Sequence, residues 1–260
     1  MLENKKLYIF DMDGTVYLGD KVFEDAVEFI CNLRATGKRV LFFTNNASHN
    51  AAYYFPKLER MGFMPKSDEL MTAGDVTAEF LLRHRRGKRV YLVGTDELRD
   101  DYLKRGIEMS ENADIVVSSF DTSLTYKKLE IACALIRNGA EYICTHPDLN
   151  CPTEEGFIPD SGAIAAMITV STGVSPKFFG KPGAETIDMI CEYTGCKKTE
   201  MVVFGDRLYT DIALGKKNGV TSVLMLTGET KAEDLVSIRD SERPDYVFKN
   251  MRDVQKSIDM

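Results

Sequence analysis

Two aspartates stand one residue apart at the end of a short apolar run, in the stretch LYIFDMDGT. The run ends at Phe10, and Asp11 and Asp13 follow it, with Gly14 next. Carboxylates this close repel each other, and a cation between them relieves the repulsion. No His or Cys accompanies them, so the donor set favours Mg²⁺, which binds carboxylates together with substrate phosphate oxygens. The pair therefore indicates metal-assisted phosphate chemistry.

Three further apolar runs end in polar residues. Thr44 ends RVLFFT and is followed by Asn45 and Asn46, Lys181 follows KFFG, and Asp206 ends MVVFGD. We expect Lys181 to supply a positive charge and the hydroxyl and amides to contact a phosphoryl group. Metal, lysine and hydrogen-bond donors together describe a phosphate site.

The residue types also suggest individual roles. A carboxylate can attack phosphorus and form an aspartyl-phosphate, and Asp11, fixed at a strand end, is the predicted nucleophile and a metal ligand. Asp13 is predicted to protonate the leaving oxygen and later to take a proton from water, and to bind the metal only through its carbonyl. Asp206 is the third expected metal ligand. Asp211, five residues on, is expected to orient metal-bound waters or Lys181.

The elements that position these residues alternate between strand and helix, which predicts an α/β fold with parallel sheets. Ligands of such sheets bind beyond the carboxyl ends of the strands, where the polar residues lie. The predicted strands are 7–10, 39–44, 89–94, 114–119, 141–145, 177–180, 201–206, 221–226 and 245–248, and the predicted helices are 24–37, 48–62, 97–106, 126–139, 183–195 and 210–218, with another starting near Gly162.

The notable strand ends come from two separated blocks, which predicts a discontinuous core domain at 1–74 and 178–260 with a second α/β domain, 75–177, inserted into it. The insertion contains the loop THPDLNCPTEEGFIPDSGA. His146, Asp148 and Asn150 in this loop either form turns or belong to a specificity loop that closes over the active site.

Composition excludes several classes of function. The chain has 260 residues, 44% of them hydrophobic, and a formal charge of −7, which argues against nucleic acid as a partner. No apolar run reaches the roughly 18 residues of a membrane span, and no signal peptide is recognisable. Six cysteines without a CxxC pair suggest reduced thiols. We expect a cytoplasmic protein without a membrane partner.

The motifs resemble those of the haloacid dehalogenase superfamily of phosphatases. DMDGT resembles the first motif, Thr44 the second, Lys181 in GKP the third and GDRLYTD the fourth, and the insertion lies where members with a large type C2 cap carry theirs. FFTNNAS, THPDLNCP and GKPG are similar to the NagD-like or p-nitrophenylphosphatase group. The resemblance implies a Rossmann-like doubly wound core and a Mg²⁺-dependent phosphomonoester hydrolase. His146 replaces an Asn that is frequent in that group.

The expected substrate is a small phosphorylated metabolite, such as a sugar phosphate or a nucleoside monophosphate. The acids of the cap loop, Asp148, Glu154 and Glu155, disfavour substrates with several additional negative charges. Three alternatives stay open: a phosphotransferase or mutase on the same fold, a phospho-accepting receiver-like signalling protein, and a binding protein without catalysis. Homo-oligomerisation is also left open.

Overall fold

A computed structural model of the chain describes residues 1–153 and 155–258. Its strands are β1 (Leu7–Phe10), β2 (Tyr17–Leu18), β3 (Lys21–Val22), β4 (Arg39–Thr44), β5 (Leu70–Thr72), β6 (Val90–Val93), β7 (Ile115–Ser118), β8 (Glu141–Cys144), β9 (Asn150–Thr153), β10 (Gly156–Pro159), β11 (Lys177–Phe178), β12 (Met201–Gly205), β13 (Thr221–Met225) and β14 (Tyr246–Phe248).

The α-helices alternate with these strands. They are α1 (Ala26–Ala35), α2 (Ala51–Arg60), α3 (Ala73–His84), α4 (Asp96–Lys104), α5 (Tyr126–Arg137), α6 (Ser161–Thr172), α7 (Ala184–Thr194), α8 (Ala213–Asn218) and α9 (Met251–Ile258). Among the described residues, no helix combines the length and the apolar character needed to cross a lipid bilayer.

The chain folds into two compact units. The first unit contains Met1–Thr44, Tyr53–Met71 and Lys181–Met260, and the second contains Asn45–Ala52 and Thr72–Gly180. This division differs from the predicted boundaries at one place of consequence: residues 45–52 group with the second unit, although the prediction kept them in the core domain.

The first unit is built on a six-stranded sheet in the order β14-β13-β12-β1-β4-β5. β1 pairs in parallel with both β4 and β12, so that Phe10 lies opposite Phe42 on one side and Phe204 on the other. Along the chain, β4 and β5 are added on one side of β1, and β12, β13 and β14 are then added on the other side. A reversal of this kind leaves a crevice beside the central strand, where open α/β sheets bind their ligands.

Aromatic packing fixes the central strands of this sheet. All four residues of β1 and all five of β12 are buried. The rings of Phe10 and Phe204 stack with centroids 4.8 Å apart, and Phe29 of α1 meets Phe10 edge-on at 6.1 Å. Burial of each such ring contributes about 1.5–3 kcal/mol. The ends of β1 and β12 are therefore held rigidly next to each other.

The second unit has its own parallel sheet, in the order β11-β8-β7-β6, and a separate antiparallel hairpin of β9 and β10. Thr72 and Asp75 form a capping box that begins α3. The predicted helix near Gly162 is confirmed: α6 begins at Ser161, whose N–H donates to the N-cap residue Asp160. The α/β prediction is thus confirmed for both sheets.

Several predicted boundaries were wrong. Helix α2 begins at Ala51 rather than near Ser48, because the N–H of Ser48 bonds to Oδ1 of Asn46 and its carbonyl accepts from the hydroxyl of Thr95. The helix expected over 210–218 starts as a π-helical turn, Leu208–Ile212, before α8. The short strand β5 and the β9–β10 hairpin were not predicted, since neither forms a continuous apolar run.

Candidate active site

The carboxyl ends of β1, β4 and β12 carry three of the predicted site residues. Asp11 directly follows β1, and its N–H donates to the carbonyl of Phe204 at 2.9 Å. Thr44 is the last residue of β4 and Asp206 directly follows β12. Since these strands are parallel neighbours in register, Asp11, Thr44 and Asp206 lie along one edge of the first unit's sheet. The alternation of strands and helices was sufficient to predict this arrangement.

Lys181 enters the same edge from the chain that returns to the first unit. Its side chain is only 4% exposed, and Nζ pairs with Oδ1 of Asp11 and lies 2.7 Å from Oδ1 of Asp211. It also approaches the carbonyl of Phe43 at 3.5 Å. Burial alone would lower the pKa of Lys181, but Asp11 and Asp211 outweigh this and raise it. Lys181 is therefore a buried ammonium whose charged form is favoured by Asp11 and Asp211.

The carboxylates of Asp11, Asp206 and Asp211 form a cluster whose oxygens lie within 4.8 Å of one another. Burial raises the pKa of Asp11 to about 7, helped by Asp211 and Asp206 and opposed by Lys181. Burial and the neighbouring Asp211 likewise raise the pKa of Asp206 to about 6. For Asp11 and Asp206, burial and the neighbouring carboxylates together thus outweigh the effect of Lys181 on the pKa.

The donor set of this cluster fits a hard divalent cation. It offers only carboxylate oxygens, the ligands that Mg²⁺ prefers. Oδ1 of Asp206 has no hydrogen-bond partner among the described residues, although Asp206 is only 2% exposed. A buried carboxylate oxygen without a partner is costly unless a cation binds it. Asp206 is therefore well placed to hold a metal ion, and the carboxylates of Asp11 and Asp211 lie close enough to share it.

Asp13 lies beyond the end of β1 on a tight turn. Gly14 has a φ of +89°, a left-handed conformation that few other residues adopt without strain. Its N–H donates to the carbonyl of Tyr17 at 2.7 Å, which closes the turn. Asp13 itself is exposed to solvent. The two aspartates of the opening motif thus have different surroundings: Asp11 is partly buried and paired with a lysine, and Asp13 is open to water.

The carboxylate of Asp211 contacts both Arg207 and Lys181. Its Oδ2 accepts from the N–H of Arg207 at 3.2 Å, and its Oδ1 faces Lys181. A Cβ on Gly205 would overlap the side chain of Asp211. A residue with a side chain at position 205 would therefore displace this carboxylate, which sequence reasoning did not foresee.

The loop after β13 was missed as a contributor to the site. The N–H of Glu229 donates to Oδ2 of Asp206 at 2.7 Å, and the hydroxyl of Thr227 donates to the carbonyl of Gly14 at 2.7 Å. The only available signal was the polar stretch TGET after an apolar strand. It could have been recognised by the rule that polar residues after parallel strands face the ligand site.

Asn45 and Asn46, predicted to contact phosphate, group with the second unit. The amide of Asn45 donates to Oδ2 of Asp148 at 3.0 Å. Oδ1 of Asn46 accepts from both the N–H and the hydroxyl of Ser48, at 3.0 and 2.7 Å. These contacts show how the two asparagines hold the chain after β4, and their phosphate contact stays a prediction.

The cap loop residues lie in different surroundings. His146 is fully buried, with Nε2 placed 2.8 Å from Oδ1 of Asp160 and Nδ1 placed 3.0 Å from the hydroxyl of Thr145. Asn150 begins β9 and is exposed, and Asp148 is half-buried. Their role in specificity remains a prediction. Glu154, one of the acids predicted to disfavour charged substrates, lies outside the described residues.

Comparison with known proteins identifies the family. The chain matches the haloacid dehalogenase-like hydrolase family over residues 8–108, and a second family of HAD-like hydrolases over residues 178–254. It is 34% identical to the 5′-nucleotidase YutF of Bacillus subtilis over 251 residues, 96% of this chain and 97% of the relative. It is 35% identical to an acid sugar phosphatase of Staphylococcus aureus, over 97% of both chains.

The structure of 4-nitrophenylphosphatase from Thermotoga maritima superposes with a TM-score of 0.93 at 44% identity, covering 99% of this chain and 98% of that one. The chain belongs to the haloacid dehalogenase-like hydrolase family. The predictions of this family, with its NagD-like and p-nitrophenylphosphatase relatives, and of a phosphatase enzyme are confirmed.

Proposed function

We propose that the protein is a Mg²⁺-dependent phosphomonoester hydrolase that works through an aspartyl-phosphate on Asp11. The observation that carries this proposal is the position of Asp11 itself. Its carboxylate follows the central strand, pairs with the buried ammonium of Lys181 and lies within 4.8 Å of the carboxylates of Asp206 and Asp211. Phosphoryl transfer depends mainly on positioning and on charge neutralisation, and this arrangement supplies both.

The reaction proceeds in two displacements. Asp11 attacks phosphorus and the bond from phosphorus to the ester oxygen breaks, while Asp13 gives its proton to the departing alcohol. Asp13 then takes a proton from water as the water oxygen attacks phosphorus, which releases inorganic phosphate and restores Asp11. The exposure of Asp13 suits this role because its proton can exchange with solvent.

The remaining residues bind and orient. Lys181 balances charge on the phosphoryl oxygens and favours the ionised form of Asp11, and Asp211 holds the ammonium of Lys181 in place. We assign phosphate contacts to Thr44, Asn45 and Asn46. Mg²⁺, held by Asp11, Asp206 and the carbonyl of Asp13, would neutralise the phosphoryl charge that develops in the transition state.

We propose a small phosphorylated metabolite as the substrate, either a sugar phosphate or a nucleoside monophosphate. The names of two relatives, an acid sugar phosphatase and a 5′-nucleotidase, support both classes. The cytoplasmic location and the cap role of the second unit remain predictions of the same kind.

The test measures inorganic phosphate released from 4-nitrophenyl phosphate and from a panel of sugar phosphates and nucleoside monophosphates. We expect turnover with Mg²⁺, none with EDTA, and recovery when Mg²⁺ is restored. Acid quenching with ³²P-labelled substrate should trap label on the peptide that contains Asp11. Transfer of the label to a second sugar without phosphate release would instead identify a mutase, and a phosphoenzyme that persists would identify a receiver.

A pair of variants locates the nucleophile. Asp11→Asn should abolish both turnover and labelling while the thermal unfolding temperature is maintained, because the change removes one charge from a crowded cluster. Asp188→Asn is the matched control. Asp188 also pairs with a lysine, Lys198, at 2.7 Å, but this pair lies on the exposed surface. Near-normal turnover by Asp11→Asn would refute the nucleophile assignment.

A further inference from the structure

The loop after β13, residues 226–230, contacts both the main chain and the side chain of Asp206. The N–H of Glu229 donates to Oδ2 of Asp206 at 2.7 Å, and the N–H of Thr230 donates to the main-chain carbonyl of Asp206 at 3.2 Å. Gly228 lies so near that a Cβ there would overlap the carboxylate. The loop therefore fixes both the backbone and the carboxylate of Asp206.

The same loop is joined to the turn that follows Asp13. The hydroxyl of Thr227 donates to the carbonyl of Gly14 at 2.7 Å. A Cβ on Gly14 would also overlap the carboxylate of Asp206. The carboxylate thus packs closely against two glycines, Gly14 and Gly228, and the Thr227 hydroxyl connects the two segments that carry them.

The contacts of the loop distinguish the two oxygens of Asp206. Oδ2 is occupied by the N–H of Glu229, whereas Oδ1 is buried and has no hydrogen-bond partner in the part of the chain that the structure describes. Rotation of the carboxylate would exchange the two oxygens, but the hydrogen bond to Oδ2 and the adjacent glycine backbones oppose it. Oδ1 is therefore the oxygen left to bind a cation.

We propose that Thr227 and Gly228 form a positioning loop that holds Asp206 so that Oδ1, and not Oδ2, binds the divalent cation. This inference rests on the proposed metal site. Groups that orient metal ligands set metal affinity as well as geometry, and their loss typically weakens binding by about 10–100-fold. Neither residue touches the substrate or the cation in this proposal, since each acts through Asp206.

The test is calorimetric titration of Mg²⁺ into the full-length protein without substrate. Thr227→Val removes the hydroxyl at nearly constant volume, and we expect the dissociation constant for Mg²⁺ to rise about tenfold or more. Thr227→Ser keeps the hydroxyl and should bind within about twofold of the unaltered protein, an agreement that a loss of packing alone would not produce.

Thr172→Val is the matched control, because the hydroxyl of Thr172 donates to the carbonyl of Ile168 at 2.8 Å inside α6, in the second unit. It should leave Mg²⁺ affinity unchanged. Thermal unfolding without metal verifies that each variant is folded. If Thr227→Val fails to fold, Gly228→Ala replaces it: the added Cβ displaces the Asp206 carboxylate, and we expect the same weakening of Mg²⁺ binding.

The outcomes separate this inference from the proposed function. Equal Mg²⁺ affinity of the folded loop variant and the unaltered protein overturns the positioning role and leaves the metal site standing. Absence of Mg²⁺ binding by the unaltered protein overturns the metal site itself, and the positioning role with it. Weakened Mg²⁺ binding by Thr227→Val together with normal Mg²⁺ binding by Thr227→Ser supports the positioning role of the loop.

Discussion

The ammonium nitrogen of Lys181 lies 2.7 Å from Oδ1 of Asp211, inside the first unit and almost without solvent contact. The same nitrogen of Lys181 also pairs with Oδ1 of Asp11. A lysine that bridges two carboxylates is restrained in both position and charge. The pair therefore holds a flexible side chain in a fixed position, as the proposed phosphate contact of Lys181 requires.

We expect Asp211→Asn to lower kcat for 4-nitrophenyl phosphate about tenfold to hundredfold. The amide keeps the shape of the side chain but removes the charge that holds Lys181, which then pairs more tightly with Asp11 and weakens it as a nucleophile. Steady-state kinetics at saturating Mg²⁺ measure the effect. Asp245→Asn is the control, since Asp245 forms the same kind of pair with Lys216, also at 2.7 Å, outside the site.

Asp13→Ala should lower kcat by about 10²–10⁴, the usual contribution of general acid–base catalysis. The loss should be smaller for substrates with good leaving groups, such as 4-nitrophenyl phosphate, than for sugar phosphates, because a stable phenolate needs less protonation. Kinetics with both substrates measure this difference. Asp20→Ala, at an exposed aspartate between β2 and β3, should retain full activity. An equal loss on both substrates would argue against proton transfer by Asp13.

His146→Ala should destabilise the protein without changing substrate preference. The change removes the imidazole from Oδ1 of Asp160, which among the described residues keeps only the N–H of Ser161, and it leaves a cavity where the fully buried ring stood, at a combined cost of about 1–3 kcal/mol. Urea denaturation measures the free energy of unfolding, and kcat/KM for a sugar phosphate relative to a nucleotide measures preference. A large change in that ratio with unchanged stability would instead support the specificity-loop prediction.

Sequence patterns were sufficient to predict the sheet edge because buried parallel strands are continuous apolar runs. Asp11 and Lys181 are 170 residues apart. Because each of them follows such a run, the sequence predicted that they lie in the same site. The supporting contacts could not be predicted in this way. The polar stretch TGET indicates where the loop at Thr227 lies, but not that the N–H of Glu229 and the missing Cβ of Gly228 meet the Asp206 carboxylate. The contact of the buried His146 with Asp160 left no signal in the sequence either.

Glu69→Ala should lower the free energy of unfolding by about 3 kcal/mol, because it leaves the charge of Arg34 partly buried without its partner. The two side chains are only 8% and 15% exposed, and Arg34 also donates to the carbonyl of Phe63 at 2.7 Å. Chemical denaturation measures the change. Glu242→Ala is the control: it removes an exposed partner from Arg239, and stability should change little.

Asp245 should make stability depend on acid pH. Partial burial alone would raise its pKa, but hydrogen bonds from Lys216 and Ser222 outweigh this and lower it. The folded state therefore binds protons less readily, so the stabilisation is complete above the unfolded pKa of about 4 and is lost as the pH falls through the folded value. Urea denaturation should show the unaltered protein more stable than Asp245→Asn at pH 7, by at most about 1 kcal/mol because solvent screens the pair, and this difference should decrease as the pH is lowered below about 4. A difference that stays constant as the pH is lowered below about 4 would contradict the assignment.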